Sequence, residues 1–228
     1  MTKIDLLAKL NKESSFVSHF CKLLQGLELY VCGGYLRNIA LGIDGGKDLD
    51  VFINCNKEQL NKFITKIESI GHVDYGQYGS PRLFVQDNDI EYVDIVPFYN
   101  FTVSGTEIKT IDELLNEFDF TANAIAWNPR TNEILDPVGG IKDIHNRILR
   151  AVRLDFPERM VAPQTPISAV SVFWFRLLHY QNVLDFSFDR KTEEWVLENR
   201  WRYKDLELFK RYFFSPSISV SMRTKLGI

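Results

Sequence analysis

The sequence predicts an α/β half followed by an all-α half. Two observations carry this. Short apolar runs alternate with segments of helical spacing up to about residue 155; beyond that point the pattern is helical, rich in aromatics and without strand signal. Pro157, Pro163 and Pro166 mark the change, dividing residues 1–155 from 156–228. A length of 228 residues suits one large domain or a domain with a smaller appendage.

The elements follow in order. Apolar residues recur at helical spacing from Ile4 to Leu27, enough for one or two helices. Leu27 to Cys32 is a short apolar run that ends at Gly33-Gly34, which reads as a buried strand entering a tight turn. Tyr35 to Leu41 continues as a short helix with Gly42 as its stop. Asp48 to Asn54 alternates with period two and reads as a strand, and Lys57 to Ile70 as a helix. Leu83–Gln86 and Ile90–Pro97 form two strands with Asp87-Asn88-Asp89 as a hairpin turn. Residues 99–109 read as a polar loop, 111–127 as containing helix, and Ile134–Asp136 as a short strand. In the second half, 167–184, 190–199, 203–214 and 215–226 all read as helices.

Composition excludes several classes. At 45% apolar, 13% aromatic and 25% charged residues the chain can fill a core, so it is neither disordered nor collagen-like. No apolar run reaches the roughly 18 residues that span a bilayer, and the N-terminus has no signal-peptide core, so a cytoplasmic protein is expected. Cys21, Cys32 and Cys55 are too few and too scattered for a disulfide framework or a zinc site, and His19, His72, His145 and His179 show no ligand spacing. Charge is uneven: residues 1–140 hold 12 Lys/Arg against 20 Asp/Glu, residues 141–228 hold 15 against 10. An acidic half joined to a basic half accommodates a metal–carboxylate site beside an anion-binding surface.

Asp48-Leu49-Asp50 is the sharpest chemical feature. In a strand, residues i and i+2 project from one face, so the two carboxylates stand side by side and repel unless a cation neutralises them. Mg²⁺, a hard ion that takes oxygen ligands and bridges to phosphates, is the natural choice. Upstream, Gly33-Gly34 opens a helix whose first backbone N–H groups face an anion-sized space, with Arg37 one turn in. Metal chemistry of this kind needs a third carboxylate from a neighbouring strand. Glu91 and Asp94 lie three apart and so on opposite faces; Asp94, flanked by apolar residues, is the candidate.

These residues resemble a known family. Gly33-Gly34-Tyr-Leu-Arg37-Asn38-Ile-Ala-Leu-Gly42, followed by Lys47-Asp48-Leu-Asp50-Val, resembles the signature of the class II tRNA nucleotidyltransferases (CCA-adding enzymes) and bacterial poly(A) polymerases. Asp119-Phe-Thr-Ala-Asn123-Ala resembles that family's second motif. Leu135-Asp-Pro-Val-Gly139-Gly140-Ile-Lys-Asp143, running to Arg150, resembles its flexible-loop segment. The resemblance implies a nucleotidyltransferase head of the polymerase-β superfamily, an α/β (α+β) fold with a mixed sheet, followed here by a small all-α domain. It implies transfer of a nucleoside monophosphate from a triphosphate, ATP above all, with release of pyrophosphate. Asp48, Asp50 and Asp94 would be the catalytic and metal-binding residues holding two Mg²⁺ ions. Gly33, Gly34, Arg37, Lys47, Arg82, Asp119 and Asn123 would bind the nucleotide. The acceptor implied is an RNA 3′ end, tRNA included.

The chain departs from the family pattern in three ways. Glu117-Phe118 stands where two arginines normally precede Asp119, and Glu117 would repel a phosphate if it faced the site. Ile167 to Ser171 lacks the acidic pair and arginine that read the base, and Arg176 and His179 do not take that role. The 228 residues leave little room for a long helical body that holds tRNA, so CTP and ATP specificity in CCA addition is not expected. A protein or small-molecule hydroxyl is then an alternative acceptor, and a degenerate, non-catalytic nucleotide- or RNA-binding head an alternative function. The aromatics of the last helices, Phe173 to Phe214, are expected in a helical core, with Arg200, Arg202, Lys204, Lys210 and Arg211 on its wet face; a stacking surface for RNA is the alternative.

Overall fold

The computed structural model describes residues 2–13, 16–17, 20, 22, 26–43, 48–76, 79–85 and 90–228. The elements are α1 (Lys3–Glu13), β1 (Glu28–Cys32), α2 (Gly34–Leu41), β2 (Asp48–Asn54), α3 (Lys57–Ile67), β3 (His72–Tyr75), β4 (Pro81–Phe84), β5 (Tyr92–Pro97), α4 (Ile111–Leu115), β6 (Ala126–Asn128) and β7 (Glu133–Leu135). After them come α5 (Gly140–Asn146), β8 (Ile148–Leu149), β9 (Met160–Ala162), β10 (Thr165–Ser168), α6 (Ala169–Val183), β11 (Ser187–Phe188), α7 (Arg190–Glu198), α8 (Leu206–Tyr212) and α9 (Val220–Leu226).

A seven-stranded mixed sheet of order β3-β4-β5-β2-β1-β6-β7 forms the centre, with β2 and β5 parallel and every other pairing antiparallel. The period-two alternation of β2 divides its side chains between two faces. Leu49, Val93 and Leu83 lie in one register row on the face that supports the main core, and all three are fully buried. That core is continuous from Leu6 through the sheet to Phe173–Leu178, Phe209 and Leu226, so helices of the C-terminal region pack into the same apolar mass as the sheet. The opposite face carries Asp48 and Asp50 at one end, with Cys32 directly across from Asp50, and a smaller core of Phe52, Phe98, Leu114 and Phe118 toward the other.

Several elements differ from the sequence reading. The hairpin proposed over 83–97 is β4 and β5, preceded by an edge strand β3 that the exposed, polar His72–Tyr75 does not advertise. Its turn at Asp87–Asp89 lies outside the described residues, as do His19 and Cys21. The helix of 111–127 stops after one capped turn; Thr110 and Glu113 form its capping box. Residues 140–146, unassigned from sequence, are helical because the Asp136 carboxylate accepts from the N–H groups of Gly140 and Ile141 at 2.6 and 3.1 Å. The C-terminal region is helical as expected, with three short strands in addition. β9 and β10 pair across the proline-rich stretch, and β11 pairs parallel with β8. Two- to four-residue strands carry no periodic signal.

Candidate active site

The site face of the sheet is built by register. Asp50 stands directly across from Asp94 on the parallel β2–β5 pair, Asp48 from Tyr92, and Asp94 from Arg82 on the antiparallel β5–β4 pair. Three acidic residues therefore share one surface, as strand alternation requires once the register is known. Glu91 precedes β5 and is exposed, away from this row.

Arg82 meets Asp94 as a fork, Nε to Oδ1 at 2.7 Å and Nη2 to Oδ2 at 2.8 Å. Its guanidinium also lies over the Tyr92 ring, 4.1 Å from the centroid, and burial and the neighbouring Asp48 push the Tyr92 hydroxyl pKa up. Burial, with Asp94 and Asp48 as like charges, pushes the Asp50 carboxyl up to about 7; Arg176 and Arg82 oppose the shift.

Gly33 closes the site from β1. Its φ of +81° is one that L side chains rarely adopt, and a Cβ there would sit 2.7 Å from Asp50 Oδ2. Only glycine lets the backbone approach the carboxylate this closely. The Gly33 N–H donates to the Asn123 carbonyl at 3.2 Å, tying the turn to the Asp119–Asn123 segment. Gly34 begins α2, and a Cβ on it would press on Arg37 at 3.2 Å.

Arg37 is 6% exposed, and burial lowers its pKa. It donates to Asn123 Oδ1 at 2.6 Å and to Asn38 Oδ1 at 2.9 and 3.1 Å, with Tyr180 stacked 5.0 Å away. The structure therefore places Arg37 behind Asn123 and within the protein, where sequence reading has it reach a phosphate. Asn123 Nδ2 donates to Asp119 Oδ1 at 3.3 Å. Lys47 lies outside the described residues.

Glu117 does not face the site. It is 8% exposed, accepts from the N–H groups of Val103 and Ser104, and pairs with Arg153 at 2.6 Å. The repulsion expected of it is absent because its charge is spent on a loop. Tyr180 is a residue that sequence reasoning passed over, and Arg176, set aside there only as a base reader, takes a different part. From α6, Arg176 donates through Nε and Nη2 to Asp119 Oδ2 at 2.8 and 2.6 Å and stacks on Tyr180. Their spacing of four on a helix places both on one face, the available signal. Tyr92, two residues before Asp94, was legible in the same way.

The segment resembling a flexible loop is fastened to the site. Thr121 donates through Oγ1 to Asp143 at 2.6 Å, Arg150 pairs with Asp143, and Thr121 N–H donates to the Arg150 carbonyl. Gly140 is required here by space: a Cβ would fall 2.0 Å from the Thr121 carbonyl oxygen. The aromatics of the C-terminal helices are largely core; Trp201 is the exception at 50% exposure, beside Lys204 and Arg202. Arg202, expected on the wet face, is instead buried because it pairs with Glu158 and bonds Asn199. Among the described residues no group of three or more His, Cys, Asp or Glu side chains converges closely enough to hold a metal ion, and no helix is long and apolar enough to cross a membrane.

Comparison with known proteins matches residues 29–150 to the family model described as "Poly A polymerase head domain". The CCA-adding enzyme of Geobacillus sp. (strain WCH70) is 28% identical over 182 residues, covering 76% of this chain and 41% of that enzyme. Poly(A) polymerase I of Haemophilus influenzae is 26% identical over 185 residues, covering 76% and 39%. Among solved structures, a CCA-adding enzyme in complex with ATP superposes with a TM-score of 0.68 at 21% identity, covering 91% of this chain and 48% of that one. Thermotoga maritima CCA-adding enzyme complexed with tRNA gives a TM-score of 0.63 at 19% identity, covering 99% and 49%. These structures share the fold. The chain spans under half the length of each of these four proteins.

Proposed function

Because the chain belongs to the poly(A) polymerase head domain family, we propose that it transfers a nucleoside monophosphate from a nucleoside triphosphate to a hydroxyl, releasing pyrophosphate, with an RNA 3′ end as acceptor. The observation that carries this reading is the register of Asp50 against Asp94, with Asp48 on the same face and Gly33 so near that a Cβ on it would lie 2.7 Å from Asp50 Oδ2. Relatives named as CCA-adding enzymes and a poly(A) polymerase, and neighbours solved with ATP and with tRNA, support the donor and the acceptor.

The donor chemistry suits a divalent cation, Mg²⁺ being the ion proposed: Asp48 and Asp50 supply two hard oxygen ligands side by side, and Asp94, which does not close on them in this arrangement, would have to join them. Burial first, and then the like charges of Asp94 and Asp48, hold the Asp50 carboxyl up at about 7, and a bound cation would favour its ionised form. Asp94 is the third ligand in this reading. When bound, two such ions would lower the pKa of the attacking hydroxyl and offset charge on the triphosphate and its leaving group. The protein's part is positioning. The turn at Gly33-Gly34 would bring the first amides of α2 toward the phosphates. Arg37 would hold Asn123 in place, and Asp119, steadied by Arg176, would fix the other side of Asn123. Arg82, beside Asp94, would add positive charge where phosphate oxygens come to lie.

The test is incubation with each α-labelled nucleoside triphosphate and Mg²⁺, offering total tRNA, oligo-RNA or protein as acceptor. Label on RNA with matching pyrophosphate release is expected. Label on protein would move the acceptor to a protein hydroxyl. Absence of pyrophosphate release in every mixture would overturn the reading.

A further inference from the structure

Three strands place one cation and two carboxylates in a single line. Arg82 of β4 faces Asp94 of β5, and Asp94 faces Asp50 of β2. Both oxygens of Asp94 are engaged by the Arg82 fork, at 2.7 and 2.8 Å. The same guanidinium rests on Tyr92, which stands across from Asp48 in the strand register. Arg82 therefore touches or backs the carboxylates from one side, while Arg176 is committed to Asp119.

The pair is not sealed in the core. The side chains of Arg82 and Asp94 are 33% and 23% exposed, so both can exchange partners with water or a ligand. A carboxylate saturated by a guanidinium fork is a poor ligand for a second cation, because the positive charges repel across a few ångströms.

We propose that Arg82 is a resident stand-in for the metal: guanidinium and divalent cation compete for Asp94, and the third ligand becomes available only when the fork lets go. This rests on the reading of Asp94 as a metal ligand. It makes Arg82 a gate on site assembly, in addition to any contact it makes with phosphate. A merely structural ion pair predicts the reverse, since losing Arg82 would then loosen Asp94 and weaken metal binding.

Mn²⁺ binding, followed by electron paramagnetic resonance of the free ion on the whole chain without nucleotide, separates the two. Arg82→Gln is expected to bind Mn²⁺ more tightly than wild type by about tenfold or more. Arg82→Lys, which keeps the charge and loses the fork, should fall between them. In an Asp94→Asn background the Arg82→Gln change should have no effect, which ties the competition to this carboxylate. Unchanged or weaker binding by a folded Arg82→Gln protein overturns the proposal while leaving the nucleotidyltransferase reading intact. No Mn²⁺ binding by wild type or variant overturns both. A second readout needs no substitution. In ¹⁵N spectra of wild type, the Arg82 Nε–H signal should shift and lose exchange protection on Mg²⁺ addition; a signal that does not move at saturating Mg²⁺ overturns the competition.

Discussion

Arg176 reaches back from α6 to place Nε and Nη2 on a single oxygen of Asp119, at 2.8 and 2.6 Å. Asp119 in turn holds Asn123, and Asn123 holds the Gly33 turn through its carbonyl. A helix beyond the matched region thus braces the turn that lies over Asp50.

Replacing Arg176 by Ala leaves the Asp119 carboxylate, 11% exposed, without its cation. A loss of about 1–3 kcal/mol is expected in urea unfolding, with part recovered in Arg176→Lys. An unchanged midpoint would show that the pair contributes nothing to stability.

Gly33→Ala forces a side chain onto Asp50 Oδ2 at 2.7 Å and onto a φ of +81°. The expected cost is about 1–3 kcal/mol, together with weakened Mn²⁺ binding, because Asp50 must move. Thermal unfolding and metal titration read the two effects separately.

Asp50 gives a pH signature in metal-free protein. Its folded pKa of about 7 lies above its ordinary value of 3.8, so folding favours the protonated form. Its contribution is fully present below about pH 4 and is lost as pH rises through about 7. The melting temperature of metal-free wild type should therefore fall over this window relative to Asp50→Asn; parallel pH profiles would refute the assignment.

Asp48→Ala and Asp50→Ala should each abolish nucleotide transfer, a loss of about a hundredfold to a thousandfold or more, while the near-ultraviolet circular dichroism stays native. Retained transfer would place the metal elsewhere.

Glu117→Arg is expected to destabilise by about 3–5 kcal/mol. It would set a cation against Arg153 and the amides of Val103 and Ser104, where a carboxylate now accepts three hydrogen bonds. Urea unfolding measures it, and a neutral result would show the site to be more open than its 8% exposure indicates.

The strand of Asp48–Asn54, the Gly33 turn, the short helix of Arg37 and the strand of Asp94 were all legible, because each rests on periodicity or on a glycine with a steric duty. The orientation of Arg37 and Glu117 was not. Both sit on the right elements, and only tertiary partners (Asn123 and Tyr180 for one, Arg153 and the 103–104 amides for the other) turn their charges inward. β11 was invisible for a related reason: two residues have no period, and their strand character comes wholly from the partner β8.

That last pairing sets an order on synthesis. β8 ends the segment resembling the flexible loop, and its parallel partner, Ser187–Phe188, arrives only after the whole of α6 has been made. Thr192, which receives the Ala151 N–H, comes later still. On the ribosome β8, which lies outside the seven-stranded sheet, would thus wait unpaired for residues translated afterwards. A nascent chain stalled before residue 187 should be cleaved by protease near 148–151, and one stalled well beyond it should resist.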